Sequence, residues 1–271
     1  TVDINASAAV TIGTTGVPIT LGNITFYTPN STSMYTHDVS ATDNSADYNT
    51  AYGWNALDAV TTGDKNICIG YQAGTAIDSG GDSVYIGTQA GAAVTTGTNN
   101  TAIGTNAADG FDTETHNLAI GTAALGGSVA GGEYNVAVGN YSLDALTSAD
   151  GVTAVGYNAG TAITTGNKSV FIGYAAGAGI TTGSDSIFIG YEAGDGYDAE
   201  TDNIGIGRSA LGGSIAGGNK NVGMGNYALD ALTSADNSVA IGYEAASGTT
   251  TGGDNTAVGY QSLFTNTIGI N

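Results

Sequence analysis

Residues 169–194 read SVFIGYAAGAGITTGSDSIFIGYEAG, and the stretch repeats itself: Phe171-Ile172-Gly173-Tyr174 returns as Phe188-Ile189-Gly190-Tyr191. The returning unit is Ile or Val followed by Gly, and it recurs in both directions from here. Its glycines are Gly53, Gly70, Gly87, Gly104, Gly121, Gly139, Gly156, Gly173, Gly190, Gly207, Gly225, Gly242 and Gly259. Every step is 17 residues except Gly121 to Gly139 and Gly207 to Gly225, which are 18. Five steps sum to 86 residues, and longer identity returns at that distance: TAALGGSVA at 122–130 against RSALGGSIA at 208–216, and LDALTSAD at both 143–150 and 229–236. A register held over two hundred residues is the signature of a repeat architecture.

Counting from each anchor glycine exposes the chemistry of the unit. The residue before it is Ile, Val or Met in twelve of thirteen copies, with Tyr52 the exception. The residue three before is Val, Ile, Leu or Thr throughout. Alternation on a strand places these two on one face, and branched side chains suit that geometry. Each unit is therefore expected to lay one short strand, bend at the glycine, and turn back through the Ala or Ser three residues on, as at Ala73, Ala90 and Ser142. One strand has nothing to bury its face against, so successive units must stack. The fold class expected is all-β, a parallel β-solenoid (β-roll) of 17-residue coils. Residues 49–263 form thirteen coils with an 86-residue super-repeat. Residues 1–48 read as an N-terminal β-rich shaft or capping segment, and residues 264–271 as a C-terminal cap or a truncated continuation.

The Asn or Ser four before the glycine, from Asn49 to Asn255, is expected to form a ladder of turn hydrogen bonds, broken only at Val152. The branched residues at −3 and −1 are expected to point inward. The residue between them, at −2, then faces outward; it is Ala, Gly, Cys68, Tyr85, Phe171 or Phe188 and is never charged. An uncharged outer face thirteen coils long implies a covered contact with other copies of the chain, best met by a parallel homotrimer.

Composition closes off other classes. Lys and Arg number 4 against 24 Asp and Glu, for a formal net charge of −20, so no basic stripe exists to bind nucleic acid. The same charge opposes anionic membrane surfaces, and no apolar run reaches the roughly 18 residues of a membrane span. Leu, Glu, Lys and Arg at helical spacing are lacking, and the 45 glycines do not fall every third residue as in collagen. The single Cys68 has no intrachain disulfide partner, which leaves packing and assembly to supply stability.

The runs Asn255-Thr-Ala-Val-Gly-Tyr-Gln-Ser-Leu263 and Ser238-Val-Ala-Ile-Gly-Tyr-Glu-Ala245 resemble the head repeats of trimeric autotransporter adhesins. Those heads are left-handed parallel β-rolls in a trimer. The longer-looped Thr250-Thr-Gly-Gly-Asp-Asn-Thr-Ala-Val-Gly259 is similar to repeats of phage tail fibres, above all from marine and cyanobacterial phages. The resemblance covers roughly residues 49–263; its loops are longer than those of the adhesin heads, and no C-terminal chaperone domain, coiled-coil stalk or membrane anchor is expected within these 271 residues. It implies a left-handed roll and a structural, adhesive role: a virion tail-fibre segment that projects toward and attaches to a host surface. The alternative is a subunit of a bacterial or archaeal extracellular filament or surface adhesin. The partners expected are further copies of the chain, laterally or end to end, and a host-surface glycan or protein.

No catalytic or cofactor-binding residues are expected. The glycine motifs at Gly205-Ile-Gly207-Arg-Ser-Ala210 and Gly223-Met-Gly225-Asn-Tyr-Ala228 mimic nucleotide loops but are repeat anchors, and His37 and His116 have no spaced partners. Lys65, Lys168, Arg208 and Lys220 are too sparse for a polysaccharide-cleaving groove. Two features carry more chemistry. Asp109, Asp112 and Glu114 recur as Asp195, Asp198 and Glu200, three carboxylates within six residues that suit Ca2+, or a solvated acidic loop. Tyrosines follow the anchor at Tyr71, Tyr157, Tyr174, Tyr191, Tyr243 and Tyr260, a row suited to receptor contact or to a chain interface.

Overall fold

The computed structural model describes residues 19–21, 24–26, 33–36, 45–127, 131–213 and 218–268. Most of the alternating run at 1–21, together with His37, lies outside them. Strands β1 (Ile19–Leu21) and β2 (Ile24–Phe26) form a small antiparallel pair. All other strands belong to one fourteen-stranded parallel sheet in sequence order, from β3 (Met34–Tyr35) and β4 (Thr50–Tyr52) to β16 (Thr256–Val258). Each of β4 to β16 is three residues long and ends at an anchor glycine; among them are β11 (Val170–Ile172), β12 (Ile187–Ile189) and β13 (Ile204–Ile206). The chain is a parallel β-solenoid. Twelve turns link thirteen repeat strands, so at about 4.8 Å per step the stack is roughly 60 Å long. Part of the segment read as a separate shaft belongs to the stack: β3 is its first rung, paired parallel to β4.

Register is exact from coil to coil. Phe171 sits beside Phe188, and Ile172 beside Ile189. The anchor glycines continue the ladder: Gly190 N–H donates to Ile172 O at 2.8 Å, and Gly173 N–H to Val155 O at 2.8 Å. The expected Asn ladder is present and runs through the buried edge of the sheet. Asn135 Nδ2 donates to Ala149 O at 2.8 Å, and its Oδ1 accepts the Val152 N–H at 2.9 Å. Its own N–H donates to Asn117 Oδ1 at 2.9 Å. One asparagine, through its carboxamide and its backbone N–H, thus ties three successive coils and pairs polar groups that would otherwise be buried alone.

The faces of the strands are opposite to the sequence expectation. In every strand from β4 to β16 the middle residue is buried, and the two flanking residues are partly or largely exposed. The −2 residues Cys68, Tyr85, Phe171 and Phe188 line the interior, so they are not the contact with other chains. Ile67 is 40% exposed and Ile241 also 40%. The reason is width. A three-residue strand between tight turns can send one side chain into the roll, and the other two must point out.

The interior is completed by the residues at +3, +4 and +7, and in nine of the thirteen coils a large residue at −2 or +4 stands with a small one at the other, while the small pair Ala154 and Gly160 is filled by Phe171 and Leu143 of the neighbouring coils. Phe171, Phe188 and Tyr85 at −2 stand with Gly177, Gly194 and Gly91 at +4. Ala119 and Ala137 at −2 stand with Leu125 and Leu143. A Cβ on Gly91 would lie 2.1 Å from the Tyr85 ring, so glycine there is a requirement of space. The pairing keeps the core filled along the rod without changing its diameter.

Candidate functional site

With the interior filled, chemistry is confined to the outer columns. The first is the sheet face. Two β-branched or aliphatic side chains per coil, such as Ile172, Ile187 and Ile206, form a continuous double row with no charged residue in it. It is three residues wide and as long as the stack.

The second column follows the anchor glycine. Five of the six predicted tyrosines, Tyr157, Tyr174, Tyr191, Tyr243 and Tyr260, fall into ring stacks with one another, and the sixth, Tyr71, pairs with Trp54 at 5.4 Å. Tyr157–Tyr174 and Tyr174–Tyr191 centroids are 5.4 and 5.1 Å apart with planes within 14° and 8°. Tyr243–Tyr260 stack at 5.6 Å. Sequence reading missed the members that join these into one ridge. Arg208 carries its guanidinium 5.5 Å from the Tyr191 ring and 5.6 Å from Tyr227, a cation between two π faces. Tyr141 and Tyr227 meet Tyr157 and Tyr243 edge-on. Their signal was a shift of one position: both sit two residues after the anchor, behind Asn140 and Asn226. Hydrogen bonding to Glu192, then its charge, raises the Tyr191 phenol above its ordinary range, and Glu244 does the same to Tyr243. Within the ridge the ring faces cover one another, so only edges and hydroxyls face outward.

The third column is acidic, and the structure separates the carboxylates that sequence spacing had grouped. Glu114 is 3% exposed, and its carboxylate accepts backbone N–H groups from Asp112 (2.6 Å), Thr113 (3.0 Å) and Gly131 (2.8 Å). Glu200 likewise accepts the Asp198 N–H at 2.8 Å. Asp112 and Asp198 accept hydrogen bonds from the hydroxyls of Thr95 and Thr181 one coil earlier. Asp109 and Asp195 lie in another column, near Asp144 and Asp230. Among the described residues no group of three His, Cys, Asp or Glu is placed to hold a metal ion. The Ca2+ triads of the sequence reading are thus not assembled; their glutamates cap loops.

Burial first, then Asp144, raises the Asp109 carboxyl above the ordinary range; burial first, then Glu192 and Asp230, raises Asp195. Burial also raises Asp144 and Asp230, with Glu244 adding to the latter. A carboxyl whose folded pKa exceeds its unfolded one favours the folded state at low pH, and that stability is lost as pH rises through the folded value. The melting temperature is therefore expected to rise as pH falls from 7 toward about 4.5, still above the ordinary carboxylate range. Asp144→Asn and Asp230→Asn together should raise the melting temperature at pH 7 and flatten the dependence. Calorimetry across that range checks this; a melting temperature that falls throughout would refute it.

The remaining candidates resolve simply. Cys68 is fully buried and burial holds its thiol protonated. His116 stacks on Tyr134 at 5.0 Å. Lys65 pairs with Asp82 at 3.5 Å on the surface. Both glycine motifs are coil segments: Gly205 and Gly223 are strand centres, and turns follow Gly207 and Gly225. No protein family, curated protein or solved structure matches the chain.

Proposed function

We propose that the chain is a structural, adhesive rod that works outside the cell as a parallel homotrimer, and that it is a phage tail-fibre segment projecting toward a host surface. The observation that carries this reading is the uncharged double row on the sheet face, aliphatic but for four threonines and Tyr52. At exposures near those of Ile172 (38%) and Ile187 (36%), the row presents on the order of 1,500 Å² per chain, against roughly 800 Å² per partner in a standard interface. Such a patch also exceeds the roughly 300–600 Å² of the largest patch on an ordinary monomer. A flat strip parallel to the rod axis closes around that axis by cyclic symmetry, and three copies bury it on all sides with their coils in step. The buried contact assigned from the sequence to the −2 residues thus passes to the −3 and −1 residues. The net charge of −20 keeps assembled rods apart, and the few Lys and Arg leave few sites for trypsin-like proteases.

The test is mass and symmetry. The chain is expected to run as a trimer by analytical ultracentrifugation at micromolar concentration. Ile172→Lys with Ile206→Lys places charges on the strip without touching the interior, and should yield monomers with an unchanged far-ultraviolet spectrum. A monomeric parent chain would end the reading. Immunogold labelling then separates the biological roles: rods on virions support the tail fibre, and open-ended filaments on cells support the filament subunit.

A further inference from the structure

All four Lys and Arg residues of the chain fall at two positions of the coil. Lys65, Lys168 and Lys220 stand five before their anchors Gly70, Gly173 and Gly225, and Arg208 directly follows Gly207. All four are exposed. These two positions bracket the uncharged strip. The strand takes −3 to −1, a buried Asn or Ser takes −4 and the bend takes the anchor, so −5 and +1 are the strip's two rims. The +1 rim holds no acid in thirteen coils, in a chain with 24 acids. The −5 rim holds three lysines and four aspartates: Asp82, Asp185, Asp202 and Asp254. Within one coil the rims complement each other. Across the strand from Lys65 stands Tyr71, and across from Lys168 stands Tyr174. Lys220 has Asn226 and Tyr227 opposite it, and Arg208 has Asp202. Six residues of extended chain, roughly 15–20 Å, hold each such pair apart in its own chain.

We infer that the two rims meet between copies: in the trimer proposed above, on which this rests, the +1 rim of each copy seams against the −5 rim of its neighbour, coil by coil. Rotation about the rod axis makes every contact heterologous, so the leading edge of one strip meets the trailing edge of the next at the same level. The aromatic ridge turns ring edges and hydroxyls outward. An ammonium from the partner's Lys168 therefore donates to the phenol oxygen of Tyr174, while the lysine methylenes cover the ring edge. The partner's Lys65 and Lys220 do the same at Tyr71 and Tyr227. Arg208 has its two faces on Tyr191 and Tyr227, at 5.5 and 5.6 Å, which leaves the N–H edge of its guanidinium for the carboxylate of the partner's Asp202. The strip itself is apolar in either direction and sets no polarity. The rims set it, because an antiparallel pair would place ridge on ridge and the aspartate rim on itself. Lys65 already pairs with Asp82 in its own chain at 3.5 Å, a surface contact that leaves ammonium donors free to reach across.

Cross-linking and charge exchange test the seam. Cys68 is the only cysteine and is buried, so introduced surface thiols react alone. Lys168→Cys combined with Tyr174→Cys, treated with a short bismaleimide, is expected to give a ladder up to covalent trimer on denaturing gels, and neither single variant should give one. Arg208→Asp should raise the dissociation constant of the assembly about tenfold or more by sedimentation, because it sets like charges face to face. Asp202→Arg added to it should recover most of that loss. Asp202 and Arg208 flank β13 from opposite sides, so recovery reports a contact between chains, which a purely structural role of Arg208 in its own ridge would not produce. Covalent dimers from Tyr174→Cys alone would mean ridge against ridge and would overturn the seam. A trimeric parent whose double-cysteine variant does not cross-link, or whose Arg208→Asp loss is not recovered, overturns the seam and leaves the trimer standing. A monomeric parent ends both.

Discussion

Gly173→Ala is expected to remove on the order of 5 kcal/mol of stability, a loss at the exceptional end of single substitutions. Gly173 has φ near +135°, where any side chain is strained, at a cost of about 1–3 kcal/mol. The space is also taken: a Cβ would lie 2.3 Å from Gly190 O and 2.7 Å from Gly190 C, which are backbone atoms of the next coil. Gly190 is fixed by its own 2.8 Å ladder bond to Ile172, so relief means parting two coils and giving up ladder bonds worth roughly 1 kcal/mol each. Gly259 supplies the control. Its φ is +122°, but nothing lies within 4 Å of the added carbon, so Gly259→Ala should show the strain alone and a clearly smaller loss. Thermal unfolding of both variants checks this. Equal losses would mean that the close approach of stacked glycines contributes nothing, and a Gly173→Ala protein as stable as the parent would break the line of glycines on which the architecture rests.

The sequence carried that line in full, because a glycine forced by both φ and proximity has no substitute. It also carried the strands, their parallel stacking and the Asn ladder. It did not carry which face turns inward. Alternation separates Val170 and Ile172 from Phe171 whichever way the strand is turned, and hydropathy favours the two aliphatics over the one aromatic. What decides is the narrow interior, and its trace was present in the exchange between −2 and +4: Phe171 with Gly177, Ala137 with Leu143. An outward residue would have no reason to track a residue six places on. The carboxylates of the acidic loops are spread apart for a related cause. Asp109, Asp112 and Glu114 are close in sequence but fall in three columns, because a solenoid brings together residues one coil apart. Thus Asp112 is bonded to Thr95 one coil earlier, and Asp109 feels the charge of Asp144 two coils on. The ridge was legible at the six tyrosines directly after the anchor and invisible at Arg208, whose place between two rings depends on neighbours in adjacent coils.

If volume within one coil is what the interior conserves, Phe171 and Gly177 should be exchangeable for the pair that other coils use. Phe171→Ala alone leaves a cavity and ends the parallel stack with Phe188, whose centroid is 6.3 Å away; the cost is about 3–5 kcal/mol. Gly177→Leu alone drives a Cβ to 2.4 Å from the buried Phe171 ring, which cannot swing aside because a Cβ on Gly160 would already lie 2.7 Å from its other edge. That overpacking costs about 3 kcal/mol or more. Together the two changes rebuild the arrangement of Ala137 with Leu143. The backbone accepts it, since Leu143 holds φ at 52° and Gly177 at 61°. The double variant is expected to recover to within about 2 kcal/mol of the parent, the residue being leucine in the left-handed region and the lost ring stack. The coupling between the two changes is then at least about 4 kcal/mol and favourable, above the roughly 0.5–3 kcal/mol usual for residues in contact. Denaturant unfolding of the four proteins measures it directly. Additive losses would mean that −2 and +4 do not share a space, and the assignment of the middle strand residue to the interior would fall with them.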